Sequence, residues 1–152
     1  MLRKGDKAPA FELADDAGVA TSLAELLEEG PIILYFYPKD FTSVCTRQAC
    51  MVRDSHERIE AAGLRVIGIN SEKGEKHERF RKHHGLPFRL LVDPGREVAR
   101  SYEAIGPFGL YTARASYLIG RDGIIQDSAR ADLRLAPHER LIERALTRSE
   151  DD

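Results

Sequence analysis

The chain alternates between short apolar runs and longer segments in which apolar residues recur every three or four positions. Residues 32–37, "IILYFY", form a continuous apolar run rich in β-branched and aromatic residues, which predicts a strand covered on both faces. Residues 64–70, "LRVIGIN", and 88–94, "FRLLVDP", predict two further buried strands. Between the first two strands, residues 45–62 carry apolar side chains at steps of four and three, which predicts a long helix that ends at Gly63.

The remaining segments complete an α/β pattern. "AFEL" and "GVAT" predict an N-terminal β-hairpin, and Ser22 begins a short helix that ends at Gly30. The later segments predict a polar helix, a second short helix, a closing hairpin around "GRDG" (residues 120–123) and a terminal helix, "PHERLIERAL". We therefore expect one domain over residues 1–152, with a central mixed β-sheet flanked by helices. In such sheets, active sites collect beyond the carboxyl ends of the strands.

Composition and charge narrow the possible functions. The 152 residues are 42% hydrophobic and 32% charged, as in ordinary soluble domains. A formal net charge of −2 gives no general attraction to nucleic acid or to an anionic membrane. No apolar run approaches the roughly 20 residues of a membrane span, and no apolar signal segment precedes the first proline. Two cysteines are too few for a disulfide scaffold, so we expect a cytoplasmic protein.

Both cysteines lie where the first buried strand gives way to the long helix, in "FYPKDFTSVCTRQAC" (residues 36–50). We expect Cys45 in the first turn of that helix, with Thr42 or Ser43 as the N-cap. Unpaired backbone N–H groups and the helix dipole would then lower the pKa of the Cys45 thiol below its ordinary value of about 8.5. Cys50 would lie within the helix, where that advantage is absent.

The residues by themselves leave the role of the thiols open. Thr42 could donate a hydrogen bond toward the Cys45 sulfur, and Pro38 would fix the turn that leaves the strand. However, Cys45 also falls on the apolar stripe of the helix, and buried free cysteine often only fills space in a core. Position favours core packing for Cys50. A metal site is disfavoured because no second Cys/His pair at ligand spacing is present and the five histidines are scattered.

The run from Pro38 to Cys45 resembles the P-x-x-x-T/S-x-x-C signature of the peroxiredoxins, which are thiol peroxidases with a thioredoxin-like fold. The wider "FYPKDFTSVCTRQACMVRD" is similar to the peroxiredoxin Q, or bacterioferritin comigratory, subfamily. "GDKAPAFEL", "LRVIGIN", "FRLLVDP" and "RASYLIGRDGII" resemble the same subfamily in order and spacing. The resemblance therefore covers nearly the whole chain.

The resemblance implies a role for each matching position. Cys45 falls on the peroxidatic cysteine, Thr42 on the hydroxyl that orients peroxide, and Pro38 on the residue that shields the thiolate. Arg114 falls on the arginine that stabilises the thiolate and polarises the peroxide, although position alone predicts a surface arginine at a strand edge. Cys50 falls where many members of the subfamily keep the resolving cysteine.

The implied activity is thioredoxin-dependent reduction of hydrogen peroxide and organic hydroperoxides, without a cofactor. A Cys45 sulfenic acid would be resolved by Cys50 as an intramolecular disulfide, in a monomer or weak homodimer. On an intact helix the two Cα atoms would lie about 8–9 Å apart, beyond the roughly 7 Å limit for a disulfide. We therefore expect the first turns of the helix to unwind on oxidation.

Three departures from the subfamily pattern are present. Ser43-Val44 replaces Pro-Gly and Phe41 replaces Asp, as in the typical two-cysteine branch, while Gln48 replaces the usual Glu. Two alternatives remain on the same fold. One is a redox sensor or holdase that uses the unwinding as a switch. The other is a general thiol–disulfide oxidoreductase, which is disfavoured because the chain has no Cys-x-x-Cys.

Overall fold

A computed structural model of the chain describes residues 1–39 and 43–147. Within these residues, seven strands form one mixed sheet in the order β2-β1-β5-β4-β3-β6-β7. The central strands β3, β4 and β5 run parallel, whereas β1, β2, β6 and β7 add in antiparallel pairs at the two sides. The strands are β1 Glu12–Asp15, β2 Ala20–Ser22, β3 Ile32–Phe36, β4 Arg65–Asn70, β5 Arg89–Val92, β6 Ala115–Ile119 and β7 Ile125–Arg130.

Six α-helices in the described residues connect or follow the strands. They are α1 Leu23–Glu28, α2 Ser43–Asp54, α3 His56–Ala61, α4 Gly74–His84, α5 Glu97–Ser101 and α6 Ala136–Thr147. None of them is long and apolar enough to cross a membrane. The predicted α/β fold with a central mixed sheet and an N-terminal hairpin is confirmed. Ser22 caps α1 as expected, since its hydroxyl accepts a hydrogen bond from the Glu25 amide over 3.2 Å.

The two faces of the sheet bury separate apolar clusters, which explains the continuous apolar run of β3. Leu34 and Phe36 point to one face, where they pack with side chains such as Tyr102. Ile33 and Tyr35 point to the other face, which α2, α3 and α6 cover. All five residues of β3 are buried, because each face of the strand meets a packed layer.

The prediction of one continuous helix over residues 45–62 is wrong, because the structure has two helices there, α2 and α3. Ser55 separates α2 from α3 with φ −95° and ψ 0°, and its amide contacts the carbonyls of both Met51 and Val52 at 3.2 Å. The apolar period continues across the break, since Ile59 of α3 is fully buried. The spacing of apolar residues alone therefore could not reveal the break at Ser55. His56, placed on the same stripe, is only partly buried and pairs with Glu60.

Strand pairing brings two distant segments to one edge of the sheet. β3 and β6 are antiparallel, and Phe36 at the carboxyl end of β3 pairs with Ala115 at the amino end of β6. Pro38, which follows β3, and Arg114, which precedes β6, therefore reach the same edge. Helix α2 begins a few residues later, so its first turn lies where the carboxyl ends of the parallel strands open.

Candidate active site

Cys45 is the third residue of α2, and its side chain faces the sheet. It is 2% exposed and belongs to the same apolar cluster as Ala49 and Val52, the next buried positions on the helix. The two possibilities left open by the sequence, packing and chemistry, are therefore not exclusive. The sulfur packs in the core and is also within hydrogen-bond distance of a cation.

That cation is Arg114, whose Nη2 donates a hydrogen bond to Cys45 Sγ over 3.0 Å. Arg114 is 2% exposed, so the surface position that its place at a strand edge suggests is wrong. The residues lie 69 positions apart in the chain and meet because β6 pairs with β3. A guanidinium N–H at this distance makes a charge-assisted hydrogen bond to the sulfur.

The other guanidinium nitrogens fix the orientation of Arg114. Nη1 donates to Gln48 Oε1, one turn along α2 from Cys45, in a short hydrogen bond. Nε donates to the main-chain carbonyl of Asp132 over 3.1 Å, and the Arg114 amide donates to the Asp132 carboxylate over 3.1 Å. The Nη1 and Nε bonds thus hold the fork that presents Nη2 to the sulfur, and the amide bond holds the main chain of Arg114.

In residues 1–39 and 43–147, no carboxylate lies within ion-pair distance of the Arg114 guanidinium. Its acceptors are an amide oxygen, a peptide carbonyl and the Cys45 sulfur. The Asp132 carboxylate accepts from the Arg114 amide and not from the guanidinium, so only the sulfur among these three acceptors can ionise. Gln48, one of the departures from the subfamily pattern, keeps a contact with Arg114 but brings no negative charge to it.

The remaining predicted site residues are placed as follows. Pro38 is half-buried just beyond β3, at the edge where Arg114 and α2 meet, and its shielding of the sulfur stays a prediction. Thr42 lies outside the described residues. Cys50 is half-buried in α2, and both it and Cys45 are free thiols. Both cysteines lie within the unbroken helix α2, and, as expected for such a helix, they are not at disulfide distance.

Sequence reasoning missed a second layer behind Arg114. His138 of α6 is 1% exposed, its Nε2 lies 3.0 Å from the carbonyl of Ala131, and its Nδ1 lies 2.8 Å from Ser116 Oγ. Burial lowers the pKa of His138 and so does the nearby Arg114 charge, while the bond to Ala131 opposes the shift. No sequence signal marks this histidine, because its main partner is a peptide carbonyl. Among the described residues, no cluster of three or more potential ligands could hold a metal ion.

The fold agrees with the comparisons to known proteins. Residues 4–128 match the AhpC/TSA family, and the chain belongs to that family. Within it, the chain is similar to peroxiredoxin Q. It is 39% identical to the chloroplastic peroxiredoxin Q of Sedum lineare over 126 residues, which cover 82% of this chain and 67% of that protein.

Two further relatives extend the likeness. Chloroplastic peroxiredoxin Q of Oryza sativa subsp. japonica is 40% identical over 126 residues, 82% of this chain and 58% of the rice protein. The chain thus matches little more than half the length of the rice relative. The crystal structure of peroxidoxin BcpB from Mycobacterium tuberculosis superposes with a TM-score of 0.89 at 27% identity, covering 98% of this chain and 100% of that one. The predicted peroxiredoxin Q type and thioredoxin-like fold are confirmed.

Proposed function

We propose that this chain is a thiol-dependent peroxidase in which Cys45 reduces hydrogen peroxide and organic hydroperoxides. The observation that carries the proposal is the 3.0 Å hydrogen bond from the buried Arg114 guanidinium to Cys45 Sγ. Only a thiolate attacks peroxide, and this contact favours the thiolate in a site where the guanidinium has no carboxylate partner among the described residues.

In the proposed first step, the Cys45 thiolate attacks one peroxide oxygen. The S–O bond forms as the O–O bond breaks, the sulfur is oxidised by two electrons to the sulfenic acid, and the other oxygen leaves as water or an alcohol after taking a proton. Arg114 would stabilise the charge that moves from sulfur to the leaving oxygen. From the family resemblance, Thr42 would orient the peroxide and Pro38 would shield the sulfur.

In the proposed second step, the Cys50 thiol attacks the Cys45 sulfenic acid, which forms the disulfide and releases water. An intact α2 holds the two Cα atoms about 8–9 Å apart, so its first turns must unwind for the bond to form. A dithiol reductant of the thioredoxin type would then return both thiols. Alkyl peroxide reduction is named for the Xanthomonas campestris bacterioferritin comigratory protein, which shares this fold at 22% identity.

The setting of the reaction follows from its chemistry. The disulfide must be reduced in every cycle, so we propose that the chain acts in a reducing compartment, of which the cytoplasm is the simplest case. Residues 1–152 would act as one domain without a cofactor, in a monomer or weak homodimer. The plant relatives are named as chloroplastic proteins.

The test is peroxide consumption by Cys45→Ser and Cys50→Ser proteins supplied with thioredoxin and its reductase. We expect the first variant to be inactive and the second to complete a single turnover and stall until a small thiol is added. Full activity of Cys45→Ser would show that another group reacts with peroxide. Acceleration of insulin reduction by dithiothreitol would point instead to a general thiol–disulfide oxidoreductase.

A further inference from the structure

His138 and Ser116 form a buried polar pair that the proposed chemistry does not use. His138 lies in α6 and Ser116 lies on β6, two residues beyond Arg114 and on the same side of the strand. Both side chains are at most 3% exposed, and Ser116 Oγ lies 2.8 Å from His138 Nδ1. A buried imidazole with both nitrogens engaged is held in one orientation.

The partners of His138 decide its protonation state. The carbonyl of Ala131 can only accept, so Nε2, 3.0 Å away, carries the proton. In the neutral ring Nδ1 then accepts from the Ser116 hydroxyl. Burial keeps the pKa of His138 below its ordinary value, which supports the neutral Nε2–H form near pH 7.

The contact of His138 with Ala131 reaches Arg114 through the next residue. Ala131 and Asp132 form a short segment that Arg114 holds by three hydrogen bonds. The Arg114 Nε and amide donate to Asp132, and the Ala131 amide donates to the Arg114 carbonyl over 3.3 Å. His138 holds the same 131–132 segment from the side of α6. The segment is thus fixed between the histidine and the arginine that contacts Cys45.

We propose that His138 is a positioning residue, which orients Arg114 on the Cys45 sulfur by fixing the 131–132 segment. Its effect on peroxide turnover rests on the proposed function. Its effect on the Arg114–Cys45 contact does not, because alkylation of Cys45 can be measured without peroxide. A hydrogen-bond donor at Nε2 is the required feature, whereas the charge of the ring is not.

The test is the rate at which iodoacetamide alkylates Cys45 near neutral pH, in a Cys50→Ser background that leaves one thiol. We expect His138→Leu to slow alkylation about tenfold, because a small displacement of a preorganised group has large effects on rate. His138→Gln, whose amide nitrogen can replace Nε2, should stay within about twofold of the parent. If His138→Leu does not fold, His138→Asn replaces it, because its shorter amide cannot reach Ala131.

A matched control separates positioning from general destabilisation. Tyr102→Phe also removes a buried side-chain hydrogen bond to a main-chain carbonyl, that of Pro9 at 2.7 Å, on the other face of the sheet. We expect it to lower stability without changing alkylation of the folded protein. An unchanged rate in His138→Leu, or an equal loss in His138→Gln, would overturn the proposal.

A double-mutant cycle tests whether His138 acts through Arg114. In an Arg114→Met background, we expect His138→Leu to cause no further loss of alkylation rate. A loss as large as in the parent would overturn the proposal, because the effect would then bypass the guanidinium. If the alkylation results hold while Cys45→Ser still consumes peroxide, the positioning role stands and the proposed peroxidase function fails.

Discussion

Exchanging Gln48 for glutamate tests whether the thiolate is the counterion of Arg114. The neutral Gln48 oxygen now accepts from Nη1 of the guanidinium whose Nη2 contacts Cys45 Sγ. Gln48 is 1% exposed, so a glutamate there would lie in the same buried shell. Its carboxylate would pair with Arg114 and remove the positive charge that otherwise favours an anionic sulfur.

The size of the effect follows from the distances. Two acceptors on neighbouring nitrogens of one guanidinium lie on the order of 5 Å apart, and at an effective dielectric constant of about 20 two like charges there repel by about 3 kcal/mol. That energy corresponds to a factor of about 100 in the ratio of thiolate to thiol. Partial protonation of the new carboxylate would relieve some of the repulsion, so we expect alkylation of Cys45 to slow by about tenfold to a hundredfold.

The assay is alkylation by iodoacetamide slightly below neutral pH, in the Cys50→Ser background, with folding checked by circular dichroism. Gln126→Glu is the matched control. It makes the same chemical change on β7, near the turn at Gly120 and at the opposite end of the β6–β7 strand pair from Arg114. We expect the control to react like its parent. If Gln48→Glu also reacts at the parental rate, the thiolate is not the counterion of Arg114.

Two further predictions concern the opening of α2 and stability in acid. Arg47 is exposed in α2 between the cysteines, and Arg47→Gly should cost the helix about 1 kcal/mol more than Arg47→Ala. The glycine variant should therefore form the Cys45–Cys50 disulfide about five times faster than the alanine variant, and it should accumulate less sulfinic acid after a peroxide pulse. Both products are measured by mass spectrometry. Equal rates of disulfide formation in the two variants would contradict unwinding of α2. Burial lowers the pKa of His138 from 6.5, so as the pH falls the histidine is protonated in the unfolded chain before it is protonated in the folded protein. The free energy of unfolding should therefore fall as the pH drops below about 6.5. In urea titrations at about pH 7.5 and about pH 5.5, His138→Gln should lose less stability than the wild type, and equal losses would contradict the assignment.

The sequence determined the helices and strands, because the spacing of apolar residues depends directly on whether a segment is buried on two faces or along one stripe. The continuous run of β3 predicted a strand covered on both sides, and all five of its residues are buried. The break at Ser55 escaped prediction for the same reason. Ile59 keeps the helical period of α2, so the spacing does not change where the helix ends.

For the candidate site, too, part was determined by the sequence and part only by the tertiary structure. The sequence determined that Cys45 would lie in the first turn of a helix after a buried strand, because those relations are local along the chain. Only the tertiary structure decided that Arg114 would be buried against its sulfur, since that contact depends on β6 pairing antiparallel with β3. Asp132 and His138 were beyond prediction, because Arg114 Nε contacts the carbonyl of Asp132 and His138 contacts the carbonyl of Ala131, and every residue has a carbonyl. The charges around the thiol are therefore set by the packing of the sheet, whereas its place at the start of α2 is set by the local sequence.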